Sequence, residues 1–319
     1  MDLRFRAIAA GVAAMMVSTT AAAAAITREF DANPGGRLVI AAEGAKIDVT
    51  GRRGDVVRID ISRGSDSAED IEGDYRITFS HEGDEVRLDM ERITKWVGGW
   101  FNKTPRISVE VPDRFDVDLE SSGGGVKVEG ITGVVRARTS GGGLRFEDID
   151  GPVTGRTSGG SIQIDRAASV HAKTSGGSVS VGRSEGDVDV TTSGGSISID
   201  YAGGEVFAKT SGGGIKLGEV HGAIDAKTSG GAIRAAMATQ PRNNSTLKTS
   251  GGSITVFLPP SVELNLDAKT SGGKVFSDLP VASIVNGSAS NRKLTGTING
   301  GGPVLHVRGS GGSIHLKSI

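Results

Sequence analysis

The side chains with the most chemistry to offer in this chain recur at a fixed interval. A cation stands two positions before nearly every Ser-Gly-Gly: Arg138, Arg156, Lys173, Lys209, Lys227, Lys248, Lys269 and, in the last copy, Arg308, while Thr191 takes the place in one copy. If successive copies stack, these residues line up as a basic stripe. Such a stripe is either a solvated face that discourages aggregation or a surface that engages an anionic polymer such as an envelope polysaccharide. Neighbouring unit charges roughly 4.8 Å apart in water repel by about 0.9 kcal/mol, so counter-charges or a ligand must offset the ladder. Asp189, Asp225 and Asp267, two residues earlier on the same face, are the candidate counter-charges.

A second chemistry is catalytic. Glu147 and Asp165 fall at equivalent places in adjacent repeats, roughly the separation of a retaining glycosidase pair. The alternative is two exposed carboxylates balanced by Arg145 and Arg166. A third candidate is the run Trp96-Val97-Gly98-Gly99-Trp100-Phe101, where Trp96, Trp100 and Phe101 concentrate aromatics in a chain that is only 4% aromatic. Exposed, it is a docking patch; folded over the first coil, it is a hydrophobic cap. Other chemistries lack their residues. His81, His171, His221, His306 and His315 match no metal spacing. The repeat resembles a calcium β-roll in period, but apolar residues hold the positions where Gly and Asp ligands are needed. The serines have no companion base, and no helix follows the glycines to cradle a phosphate. No cofactor is expected.

The elements that position these residues follow from the repeat itself. Ser-Gly-Gly recurs with its Ser at 122, 140, 158, 175, 193, 211, 229, 250 and 271, with a last copy at 310. Apolar residues alternate on both sides of it. Val135, Val153, Val170, Val188, Val206 and Ile224 stand five before the Ser, and Ala137, Ala172, Val190, Ala208, Ala226 and Ala268 three before. Leu144, Ile162, Val179, Ile197, Ile215, Ile233 and Ile254 stand four after. Period-2 alternation places these on one inner face. Arg145, Gln163, Ser180, Ser198, Lys216 and Arg234 then face solvent.

This pattern predicts an all-β, parallel β-solenoid with about 18 residues and two short strands per coil, capped at both ends. About nine coils at that strand spacing make a rod of about 45 Å. Glycine at the corners near Gly151, Gly186, Gly204 and Gly222 is expected to supply positive φ. A column of Thr139, Thr157, Thr174, Thr192, Thr210, Thr228, Thr249 and Thr270 is expected to bond its own kind or the turn backbone. Three strands of the same type precede the array (38–40, 47–49, 56–61). Residues 63–105 read as a charged, irregular insertion. The segments at 297–301 and 309–312 read as compressed terminal copies.

Composition narrows the setting. Residues 1–25 carry Arg4 and Arg6, a short apolar run and a small-residue end, the form of a signal peptide. The expectation is export to the periplasm or beyond, with residues 26–118 as an N-terminal β region and cap and 119–319 as the repeat solenoid. Cysteine is absent, so neither disulfides nor lipid attachment through an N-terminal Cys is available. The 36 Lys and Arg nearly balance the 37 Asp and Glu, which does not mark a nucleic-acid binder.

The Gly36-led strands, Val111-Pro112, the repeated Thr-Ser-Gly-Gly followed by Ile or Val, and Asn299-Gly300-Gly301-Gly302 together resemble the bacterial "putative adhesin" family of β-strand repeat proteins, a domain of unknown function. The resemblance covers nearly all of the mature chain. It implies adhesion and carries over no catalytic or ligand residues. The function this favours is a non-catalytic interaction or structural module of the cell envelope, with an anionic polysaccharide or another envelope protein as partner. The alternative is a carbohydrate-active enzyme on a β-helix.

Overall fold

The computed structural model describes residues 26–93, 104–282 and 291–319. The N-terminal part forms β1 (Ile26–Asp31), β2 (Arg37–Ala42), β3 (Lys46–Arg52), β4 (Val56–Ser62), α1 (Ala68–Asp74), β5 (Tyr75–Glu82), β6 (Glu85–Arg92) and β7 (Arg106–Pro112). The array follows as β8 (Asp116–Ser121), β9 (Val126–Ile131), β10 (Val135–Thr139), β11 (Leu144–Ile149), β12 (Pro152–Thr157), β13 (Ile162–Ala167), β14 (Ser169–Lys173) and β15 (Val179–Ser184). It continues through β16 (Val188–Thr191), β17 (Ile197–Ala202), β18 (Val206–Lys209), β19 (Ile215–Val220), β20 (Ile224–Thr228), β21 (Ile233–Met237), β22 (Ser245–Thr249) and β23 (Ile254–Leu258). The C-terminal part adds β24 (Leu264–Thr270), β25 (Val275–Ser277), β26 (Lys293–Ile298), β27 (Val304–Gly309) and β28 (Ile314–Ser318).

From β8 to β23 each coil contributes one strand to each of two sheets, and equivalent strands of successive coils pair in parallel. The all-β solenoid expected from the alternation is the observed fold. Inward positions form continuous columns: Val188, Val190, Ile197 and Ile199 are each at most 1% exposed, and their counterparts above and below are buried as well. Column sizes compensate locally. Gly155 replaces the usual Ala where Phe146 fills the interior, and a Cβ there would stand 3.1 Å from the Phe146 ring.

The corners hold the coils in step through two devices. Each buried Thr donates from Oγ1 to the carbonyl of the second glycine one coil back, for example Thr192 to Gly177 O and Thr210 to Gly195 O, both at 2.7 Å. From Thr157 onward each also accepts the N–H of the second glycine of its own turn, at 3.3 Å in Thr192 and 3.4 Å in Thr210. The threonines thus bond the turn backbone, across coils. The second device is bare glycine. A Cβ at Gly142, Gly160, Gly177, Gly195, Gly213 or Gly231 would collide with the backbone of the preceding turn. None of these glycines has positive φ, nor do Gly151, Gly186, Gly204 and Gly222. The expectation of positive φ at the corners is therefore corrected: stacking distance, not backbone handedness, excludes a side chain there.

Both ends depart from the simple winding. Residues 63–105 are not irregular in their described part. Ser67 caps α1, exchanging bonds with Asp70, and buried Ile71 and Tyr75 lie over the first coils. β5 and β6 then form an antiparallel hairpin, with β6 pairing in parallel to β2. The coil of β2 and β3 lies between that of β6 and β7 and that of β8 and β9. At the other end β27 stands between β22 and β24, and β28 between β23 and β25. The segment at 309–312 is thus the turn of a complete coil, not a compressed copy, and it sits one place inside the rod's end. Residues 297–301 instead close β26, which runs antiparallel to β24 as a terminal strand. With 14 strands in each sheet among the described residues the rod is about 60 Å long, longer than nine coils allow.

Candidate functional site

The outer face of the sheet containing β8 to β22 carries the basic stripe. Each strand alternates buried and exposed, so the residue between the inner Ala and the buried Thr must point outward. Parallel register then fixes the column: Arg138, Arg156, Lys173, Thr191, Lys209, Lys227 and Lys248 are successive partners. Arg308 follows Lys248, Lys269 follows Arg308, and Lys293 of the antiparallel strand closes the series. Six consecutive coil positions from Lys209 to Lys293 therefore carry a cation. Lys293 escapes a reading by repeats, because it lies on a strand outside the Ser-Gly-Gly units.

The three expected counter-charges behave differently. Asp225 Oδ2 holds Lys227 Nζ at 2.8 Å, while its Oδ1 is buried without a hydrogen-bond partner among the described residues. Asp267 binds Arg308 of the inserted coil, which also donates to the Asp267 carbonyl at 2.6 Å. The Arg308 guanidinium, with a smaller contribution from His306, holds the Asp267 carboxyl below the usual carboxylate range. Asp189 faces a histidine instead: its Oδ2 lies 3.1 Å from His171 Nδ1, and His171 Nε2 lies 3.5 Å from Arg156. Arg138, Lys173, Lys209, Lys248 and Lys269 form no ion pair among the described residues. At roughly 4.8 Å spacing their repulsion is left to solvent and salt.

The column changes sign at its N-terminal end. Beyond Arg138 the next partners are Glu120, Ala41 and Asp89. These residues, with Glu43 and Glu91, border a depression of about 370 Å³ whose far wall includes Arg138 and Ser140. Acidic residues thus border the N-terminal end of the face, and cations hold the rest apart from Thr191.

On the opposite sheet, Glu147 and Asp165 are not register partners. The ladder between β11 and β13 spans Leu144–Phe146 and stops there, where Asp148 adopts φ 51°. Glu147 turns toward Lys127, at 2.7 Å, and Arg145. Lys127, and then Arg145, keep its carboxyl below the usual range, the wrong direction for a general acid at neutral pH. Arg166 pairs with Asp148 rather than Asp165, at 2.5 Å. No group of three or more metal-ligating side chains occurs among the described residues. Trp96, Trp100 and Phe101 lie outside the described residues, as does the segment 1–25.

Solved structures align with the chain, three of them as follows. One is a "putative cell adhesion protein" from Clostridium sporogenes ATCC 15579, with 12% identity, 92% of this chain and 100% of that chain covered, and a TM-score of 0.22. A second, a "putative adhesin" from Bacteroides fragilis NCTC 9343, has 13% identity, 92% and 97% coverage and a TM-score of 0.28. The third, a "putative adhesin" from Parabacteroides distasonis ATCC 8503, has 9% identity, 92% and 97% coverage and a TM-score of 0.35. Among curated proteins none matches the chain. One family model spans nearly the whole two-sheet stack, residues 36–317, from the strands before the array to the inserted last coil: the chain belongs to the Toastrack DUF4097 family.

Proposed function

We propose that the protein is a non-catalytic interaction module of the cell envelope that holds a linear anionic polymer, of the envelope polysaccharide class, along its basic face. The observation that carries this reading is the in-register run from Lys209 to Lys293, in which Lys209, Lys248 and Lys269 have no ion-pair partner among the described residues. A flat ladder with one cation per coil suits a polymer with a repeating charge lying along the rod, because each added coil adds one more contact of the same kind. The Glu147 carboxyl, held ionised by Lys127 and Arg145, favours binding over turnover. Export through the 1–25 segment would place the face where such polymers occur.

Reversing Lys209, Lys227 and Lys248 to Glu tests the reading. All three side chains lie on the outer face, so the fold is expected to survive, as circular dichroism would verify. Retention on an immobilised anionic glycan should be lost, and retention by the unaltered chain should fall steeply as salt rises. Unchanged retention of the triple variant removes the proposal.

A further inference from the structure

The coil of β27 and β28 is last in the chain but not last in the rod. It fills a gap one coil wide, with β22 and β23 on one side and β24 and β25 on the other, and pairs in parallel with all four. Leu305, Val307, Ile314 and Leu316 complete the interior at this level, each at most 1% exposed. The corner obeys the rules of the array. Thr270 Oγ1 donates to Gly312 O at 2.7 Å, Ser310 N donates to Thr249 O at 3.2 Å, and a Cβ at Gly312 would press on the Gly252 backbone.

The gap also selects its occupant. Arg308 is bound by both the carboxylate and the carbonyl of Asp267, and His306 Nδ1 lies 3.3 Å from the same carboxylate. No array coil from β8 to β23 offers that His and Arg pair two residues apart. The segment follows β26 through residues 299–303, in which Asn299, Gly300 and Gly301 have positive φ.

We propose that this gap is a receiving site for the terminal coil of a second copy of the chain, residues 303–319, so that two molecules join by exchanging that coil. The exchanged coil makes the same two parallel ladders, the same Thr270 bond and the same Asp267 ion pair as its own would, and only the loop at 299–303 changes course. The competing state is a closed gap: Leu266 and Ala268 of β24 stand level with Leu305 and Val307, and Ala268 stands level through Val307 with Leu247 of β22, so β24 can take the place of β27 beside β22.

The test uses the full chain with a specific protease sequence inserted after Gly300, a position where an added Cβ meets nothing within 4 Å. The folded protein is cleaved, warmed through its unfolding transition and cooled with a fluorescent peptide of residues 303–319. The label is expected to co-elute with the cleaved protein and not with the uncut chain, and Gly312→Val in the peptide should abolish this. An unlabelled cleaved protein means the gap has closed and overturns the proposal, as does equal retention of the Gly312→Val peptide. A second arm needs no insertion. Unmodified chains of normal and heavy isotope content are warmed together and cooled, and mixed-mass dimers are expected in native mass spectrometry. Monomers alone overturn the exchange between copies.

Discussion

Glycine serves opposite purposes in the middle of the rod and at its ends. In the array, Gly142, Gly195 and Gly231 have ordinary φ and are bare because the turn of the neighbouring coil occupies the space a Cβ would need. Gly35 and Gly300 have open space around that position but φ of 98° and 92°, a conformation that other residues reach only with strain. The same contrast holds for chain order. Between β8 and β23 each coil stacks on the one before it, whereas at both ends a coil is inserted out of order and antiparallel strands close three of the four sheet ends. Translational repetition makes each residue's environment a copy of one a period away. The ends must satisfy open strand edges and so need individual solutions.

That contrast can be broken by mutation. Gly195→Val should cost about 3 kcal/mol or more, or prevent folding, because the obstacle is backbone that cannot yield without moving the next coil; urea denaturation reads it. Ile197→Ala and Leu305→Ala should each cost about 2–5 kcal/mol, since both side chains are buried to the same degree. A much smaller loss for Leu305→Ala would mean that the inserted coil is held less tightly than the array. Thr210→Val should cost about 1–3 kcal/mol by leaving Gly195 O and Gly213 N without their partner. Gly35→Ala should cost only about 1 kcal/mol, through φ alone. If Gly35→Ala proves as damaging as Gly195→Val under the same denaturant series, the two kinds of glycine are not distinct.

The smallest effect is a pH dependence at the C-terminal end. Arg308 lowers the Asp267 pKa in the folded state, so this carboxylate stabilises the fold above its unfolded pKa and loses that contribution as pH falls through the folded one. Asp267→Asn should therefore be less stable than the unaltered chain near neutrality, with the difference shrinking below about pH 4. A gap between the two midpoints that stays constant down to pH 2 would show that the ion pair contributes nothing.

What was legible in the sequence divides along the same line. The inner columns from Val135 to Ile254 and the outward Arg and Lys positions could be read because the alternation and the spacing agree, and either alone gives the same faces. The glycines were located correctly but explained wrongly, since a sequence does not display the distance between turns. The order of the last coils was not readable, because β24 and β27 carry the same alternation and either fits beside β22. For that reason Lys293 was missed and Asp267 was expected to serve Lys269 rather than Arg308. The helix α1 did leave a signal, the Ser67 and Asp70 spacing of a capping box, and the hairpin of β5 and β6 left its own in Val86, Leu88 and Met90. Both were obscured by the density of charge around them.

Because the cross-coil threonine bond refers only to the turn immediately before it, the interior has no fixed number of coils built into it. Duplicating or excising one complete unit of 18 residues, such as Ser193 to Thr210, would change the reach of the rod by a single strand spacing of roughly 4.8 Å and leave both termini in their present surroundings. Reach is therefore a quantity that this lineage can tune by recombination within the gene, one step at a time, without redesigning either closure.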